Sequence, residues 1–284
     1  MSFLVDDKNL IDCAMSTELF SESSDYKLII DAMRYSALGG KRLRGILTLE
    51  FAKMFGCGFE EAMPYAVAVE CVQAYSLIHD DLPCMDNDDM RRGKPSCHIA
   101  FGEANALLAG DALLTHAFSA ISESESAANH PERAVKAVKC LSELAGFRGM
   151  VGGQVLDLEA AEKEVDGKTL GLIHKLKTGA LIKSSVLMGC YAAGADFELC
   201  ELSEKYASEF GFAFQIIDDI LDFDGNYETC ELNSYVKVHG LEKAREDAFA
   251  HIEKAKQILA ELSEKGFDTS NFEELLDFLI KRMK

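Results

Sequence analysis

Along this chain apolar residues recur at three- and four-residue spacing over long stretches, the mark of helices that bury one face. The segments 66–82, 102–121, 134–146, 171–193, 203–222 and 241–264 each outrun an ordinary strand. A further helix is predicted over FEELLDFLIKRM near the end, with Ser270 and Glu273 as a capping box at its start. Strict two-residue alternation is absent, and the Asp-Gly pairs at 166–167 and 224–225 lack β-type flanks. Breaks are expected at Gly56–Gly58, Ser122–Pro131, Ala160–Thr169 and Phe223–Ser234. Only four prolines occur, and no Pro/Ser/Gly-rich linker divides the chain. The pattern predicts an all-α bundle, one domain over 1–284, of roughly ten or more helices.

Composition narrows the function. Apolar residues make up 48% of the 284, ample for a core. With 29 basic and 48 acidic residues the net charge is −19. That argues against nucleic acid and against adhesion to anionic lipid, and it requires any anionic substrate to be caught by local cations or metal. No run approaches eighteen apolar residues, so no membrane span is expected. The opening MSFLVDDKNLIDCAM has no signal-peptide pattern. Nine cysteines, never closer than ten positions, exclude CxxC sites and suggest reduced thiols in a cytoplasmic setting, most of them core filler.

Two acidic clusters stand out. LIHDDLPCMDNDDMRRGKP, 77–95, sets Asp80, Asp81, Asp86, Asp88 and Asp89 beside Arg91, Arg92 and Lys94. Pro83 lies just past the helical run, so the path to Asp86 should distort and let Asp86 fold back toward Asp80. Asp88 and Asp89 read better as solvated turn acids. In FGFAFQIIDDILDFD, 210–224, Gln215, Asp218, Asp219 and Asp222 fall at i, i+3, i+4 and i+7, one stripe on an otherwise apolar helix. Such a stripe is costly unless paired or bound to metal. Magnesium suits it, a hard ion that takes carboxylates, waters and phosphate oxygens. A solvated acidic face is the plainer alternative. With the cations of GGKRLR (39–44), RRGK (91–94) and KLKTG (175–179), the clusters suggest a metal–diphosphate clamp.

These segments, together with FGEANALLAGDALLTHAF and GGQVLDLEA, resemble the short-chain trans-prenyl diphosphate synthases of the polyprenyl synthetase family, in particular the bacterial farnesyl diphosphate synthase type. The likeness runs from GGKRLR to LEKARE, about three quarters of the chain. It implies an all-α fold around a deep cavity, usually a homodimer. It implies three magnesium ions held by Asp80, Asp81, Asp86, Asp218, Asp219 and Asp222. Arg91, Lys177, Thr178 and Gln215 would hold the allylic diphosphate; Lys41, Arg44, Gln73 and Arg92 would hold isopentenyl diphosphate. The implied reaction ionises the allylic carbon–oxygen bond and joins the cation to isopentenyl diphosphate. His79 and His98 are expected to be structural.

Tyr75 lies five residues before Asp80, about 7.5 Å down the helix axis. With small Ser76 beside it, the ring would floor the tail cavity and give a fifteen-carbon product. Geranylgeranyl diphosphate synthase, a non-catalytic regulatory subunit and a terpene cyclase are the competing readings; the paired GGKRLR and RRGK sites disfavour the last.

Three positions depart from the family. Gly45 stands where proline is usual, a change in loop rigidity, and Gln73 where histidine is frequent. After Asp222 the chain runs FDGNYETCELNSYVKVHG, roughly ten residues short, the gap falling between Leu232 and Asn233 and a usual lysine missing before Ser234-Tyr235. Either the loop is absent or the sequence as written omits a mobile one. An intact-mass measurement decides between them: 31.2 kDa supports absence, and about 1 kDa more supports omission.

Overall fold

Helix follows helix, as the apolar spacing predicts. The computed structural model describes residues 2–19, 25–161 and 163–283. The expected break at Ala160–Thr169 includes position 162, which is outside the described residues. Four helices open the chain: α1 (Ser2–Glu18), α2 (Lys27–Ala37), α3 (Leu43–Met54) and α4 (Phe59–Asp80). A two-stranded antiparallel ribbon follows, β1 (Met90–Arg91) on β2 (Lys94–Pro95). Next come α5 (Cys97–Phe101), α6 (Glu103–Ser122), α7 (Glu125–Asn129), α8 (Pro131–Ala145), α9 (Met150–Ala161) and α10 (Gly167–His174). A π-helical turn, Lys175–Gly179, leads into α11 (Ala180–Ala193). The chain closes with α12 (Phe197–Asp222), α13 (Tyr235–His239), α14 (Leu241–Glu264) and α15 (Ser270–Arg282).

Two apolar clusters share the interior. In one, Tyr65, Val69 and Val72 of α4 pack with Leu113 and Ile121 of α6. In the other, Tyr206, Phe210 and Ile217 of α12 pack with Ile252 and Leu259 of α14. Between them α11 touches α3, α4, α8 and α12. Because α4 and α12 are both buried, acids at their C-terminal ends are held where the helix dipole is itself negative. Each acidic cluster therefore needs a cation.

The structure changes several expectations. The segment 171–193 is not one α-helix but is broken by the π turn. Thr269, not Ser270, precedes α15, and its hydroxyl donates to Glu273 Oε1 (2.8 Å) while the Glu273 amide bonds its carbonyl. The capping box expected from Ser270 does not form, because Ser270 is already the first helical residue. Gly45 lies inside α3 rather than in a loop. Its N–H donates to Glu70 Oε1 (2.8 Å), and a Cβ there would sit 2.9 Å from Ile11 Cδ1, so proline would lose the bond and lack room. Just past the expected gap, Ser234 N–H donates to the Glu231 carbonyl at 3.1 Å. All nine cysteines are free, five of them buried. No helix among the described residues is long and apolar enough to cross a membrane.

The N-terminal helix is held by an unusual contact. Asp7 on α1 is buried against Glu50 of α3, whose other neighbours are Lys53 and Asn271 of α15. Burial, then the shared proton with Glu50, then the charges of Glu50 and Asp6 push Asp7 up to about 7, with Lys53 opposing. An acid whose folded pKa is raised binds more protons folded than unfolded, so its penalty grows from about pH 4 and is complete above about 7. Asp7→Asn should therefore raise the thermal midpoint at pH 8 by about 3–6 °C and change it little at pH 4.5, as calorimetry at the two pH values would read.

Candidate active site

Asp80 is the last residue of α4. Beyond it Leu82 N–H bonds the His79 carbonyl (3.1 Å), and Asp86 N–H returns to the Asp80 carbonyl (2.9 Å). Asp86 thus folds back beside Asp80. Burial first, then the nearby Asp86 and Asp81 charges, raises the Asp80 carboxyl to about 6, with Lys177 and Arg91 opposing. Burial also raises Asp86. Such a pair of hard oxygen donors, half-desolvated and mutually repelling, suits a divalent cation.

Asp81 sits differently from its expected place in the cage. It is 2% exposed, and Arg91 Nε donates to its two oxygens at 2.9 and 3.3 Å, with Nη2 adding a third bond. The ribbon explains this: Arg92 and Gly93 both have left-handed φ, 53° and 76°, as a two-residue type I′ hairpin requires. That turn aims Arg91 back at α4. Arg91 also reaches exposed Asp88 at 3.3 Å. Asp89 is exposed as well.

On α12 the acidic stripe divides. Asp218 faces Arg282 of α15, whose Nη2 lies 3.4 Å away. Asp219 is engaged on both oxygens: Gln215 Nε2 donates to one (3.0 Å) and the Tyr235 amide to the other (2.6 Å). Thr178 Oγ1 donates to Gln215 Oε1 (2.7 Å), which orients that amide. Burial nonetheless holds Asp219 up at about 6 and raises Asp218. Asp222 is exposed one turn on. Among the described residues, no three His, Cys, Asp or Glu side chains converge as a metal-binding group. Of the six aspartates, Asp81 and Asp219 are thus hydrogen-bonded to Arg91, Gln215 and the Tyr235 amide, while Asp80 and Asp86 lie side by side.

Lys177 occupies the π turn, opposite α9. A Cβ on Gly153 would lie 2.2 Å from the Lys177 amide nitrogen, so backbone meets backbone. Asp157 stands one turn beyond Gly153 on the same face of α9. Its Oδ2 pairs with Lys177 Nζ, while Oδ1 accepts from Asn233 Nδ2 at 2.6 Å. Gly153, Asp157 and Asn233 are site residues that the spacing of the sequence did not single out. GGQVLDLEA was legible as a motif, but a lone aspartate on an amphipathic helix resembles any surface acid.

Two cavities meet at this place. One, of about 490 Å³, has Asp80, Lys177 and Gln154 at its polar part and Tyr75, Leu107, Val151, Val155 and Leu158 along its walls. Tyr75 is 6% exposed, packs edge-on against His79 (5.7 Å), and Ser76 lines the same wall. The other, of about 880 Å³, gathers Lys41, Arg42, Arg44, Arg91, Arg92 and Arg282 with Gln215 and Asp218. Arg44, Gln73, Leu77 and Thr178 border both. Arg42 is spoken for by Asp12 (2.7 Å) and Glu70 (3.2 Å). Arg44 has a buried Nε without a hydrogen-bond partner, and burial lowers its pKa. A cluster of cations with an unsatisfied guanidinium nitrogen is a receptor for a polyanion. Beside it lies an apolar hollow for a chain.

The family model described as Polyprenyl synthetase matches residues 26–235. The chain is 44% identical over 268 residues to the farnesyl diphosphate synthase of Escherichia coli (strain K12), covering 90% of each. It is 40% identical over 277 residues to that of Bacillus subtilis (strain 168), covering 92% of each. Among solved structures it is similar to an FPP/GFPP synthase from Zymomonas mobilis, with a TM-score of 0.86, 34% identity and coverage of 100% of this chain and 96% of that one. On this match and this geometry, the chain belongs to the polyprenyl synthetase family.

Proposed function

We propose that the protein is a farnesyl diphosphate synthase, condensing isopentenyl diphosphate with dimethylallyl and then geranyl diphosphate to (2E,6E)-farnesyl diphosphate. The observation that carries this is the meeting of a cation-lined cavity and an apolar one, with Arg44, Gln73, Leu77 and Thr178 common to both and Asp80 and Lys177 at the polar part of the apolar hollow. Farnesyl diphosphate synthases of comparable length, at 39–44% identity, support the product.

Asp80 and Asp86 on α4 and the turn after it, with Asp218 and Asp222 on α12, are the residues that would hold magnesium, three ions with substrate bound. Bound there, the metal supplies Lewis-acid neutralisation of the leaving diphosphate. Lys177 and Thr178 bind that diphosphate from the π turn. Asp81 orients Arg91, and Asp219 orients Gln215, so both acids act by positioning. Lys41, Arg44, Gln73 and Arg92 hold isopentenyl diphosphate alongside the allylic carbon, and the apolar cavity excludes water from the carbocation. The double bond of isopentenyl diphosphate attacks the allylic C1 as its carbon–oxygen bond breaks. The positive charge left on C3 of the isopentenyl unit is relieved when a proton leaves C2 of that same unit to the departing diphosphate, restoring a double bond. The homodimer usual in this family would cover the exposed Leu108 on α6.

Incubation with dimethylallyl and isopentenyl diphosphates, with and without magnesium, tests this. The expected result is a metal-dependent fifteen-carbon alcohol after dephosphorylation; no product, or twenty carbons alone, overturns it. The floor has its own test. Tyr75→Ala should remove the floor and move product toward twenty carbons, whereas an unchanged chromatogram removes Tyr75 from that role.

A further inference from the structure

Asp157 is shared. One oxygen holds Lys177, and the other accepts the Asn233 amide at 2.6 Å. A carboxylate is planar, so fixing Oδ1 fixes the direction of Oδ2 and with it the ammonium it carries. Lys177 has a long flexible arm and also feels the charges of Asp80 and Asp86. Should Asp157 turn away, the ammonium is drawn to those two acids and neutralises the pair that a divalent cation needs. Two residues past Asn233, the Tyr235 amide donates to Asp219. The segment 233–235 therefore bridges α9 and α12, one wall of the site to the other. The bridge engages Asp157 through the neutral amide of Asn233, which does not compete with Lys177 as a counter-ion.

We infer that Asn233 is a positioning residue for prenyl transfer, acting through Asp157 to hold Lys177 toward the allylic diphosphate and off the Asp80–Asp86 pair. This rests on the function proposed above.

The test compares Asn233→Ala, Asn233→Gln, Asp157→Ala and the double alanine variant, varying each substrate in turn. Asn233→Ala should lower kcat/KM for the allylic diphosphate about tenfold, the scale of one hydrogen bond to a charged group, and leave KM for isopentenyl diphosphate within about twofold. Asn233→Gln, which keeps the donor, should recover part of the loss. Added to Asp157→Ala, the Asn233 change should cost nothing more. Amine-reactive labelling of the substrate-free protein, read at Lys177 by peptide mass spectrometry, should change rate in Asn233→Ala but not on adding it to Asp157→Ala. Wild-type kinetics, additive losses or an equal rise in the isopentenyl KM overturn the assignment. A wild-type chain that makes no prenyl product sinks the proposed function instead, and the labelling then decides whether Asn233 governs Lys177.

Discussion

Asp80→Asn should cost two to three orders of magnitude in turnover, about what is lost when one preorganised electrostatic partner of a transition state is removed. The amide keeps the shape of the side chain at the end of α4 but not its charge. It cannot bind a hard cation as a carboxylate does, and the Asp86 that folds back beside it is left without its companion. Stability should move the other way. In the substrate-free protein the Asp80 carboxyl is raised to about 6, mainly by burial. Its destabilising contribution therefore grows from about pH 4 and is complete above its folded pKa. At pH 8 the variant should melt no lower than wild type. Steady-state kinetics with saturating magnesium, set against a melting curve at the same pH, separate the two effects. Turnover within tenfold of wild type would remove Asp80 from the clamp.

Gly153→Ala should lower turnover by about a hundredfold although it touches no substrate. The new Cβ would meet the Lys177 amide nitrogen at 2.2 Å and the Leu176 carbonyl carbon at 2.7 Å. These are backbone atoms, so no rotamer relieves the contact, and α9 must move away from the π turn. If Lys177 grips the leaving diphosphate as proposed, an ångström of displacement there is worth about that factor. It would also lengthen the Asp157–Lys177 pair, since both partners ride on the elements being separated. Overpacking costs about 1–3 kcal/mol, which lowers the midpoint by about 2–10 °C. Kinetics taken well below the melting range show whether the fall in rate outlasts the loss of stability. Unimpaired turnover would mean that the π turn does not need this close approach.

What the amino-acid order disclosed depended on how local each feature is. The helices, both aspartate clusters and the cationic loops are written in short-range spacing and could be read directly. The return of Asp86 toward Asp80 followed from Pro83. Less legible was what each acid does. Asp80 and Asp81 are adjacent, yet one faces the cavity and the other is enclosed by Arg91, a choice made by the left-handed hairpin ten residues later. Asp219 looked equal to Asp218 on the stripe, but the Tyr235 amide, far along the chain, takes one of its oxygens. Asp157 and Asn233 are 76 positions apart and share a bond that no periodicity announces. Gly153 shows its purpose only when the π turn is seen against it.

The π turn also bears on ancestry. A turn of this kind is an α-helix that has accommodated one additional residue. Excision of a single codon within 175–179 would let residues 167–193 run as one regular rod, closing the wide turn that carries Lys177. The lysine would then face a different neighbour, although helix ends and core stay in place. A scaffold of this type can therefore acquire or lose the Lys177–Asp157 pair through one insertion or deletion, without passing through an unfolded intermediate sequence.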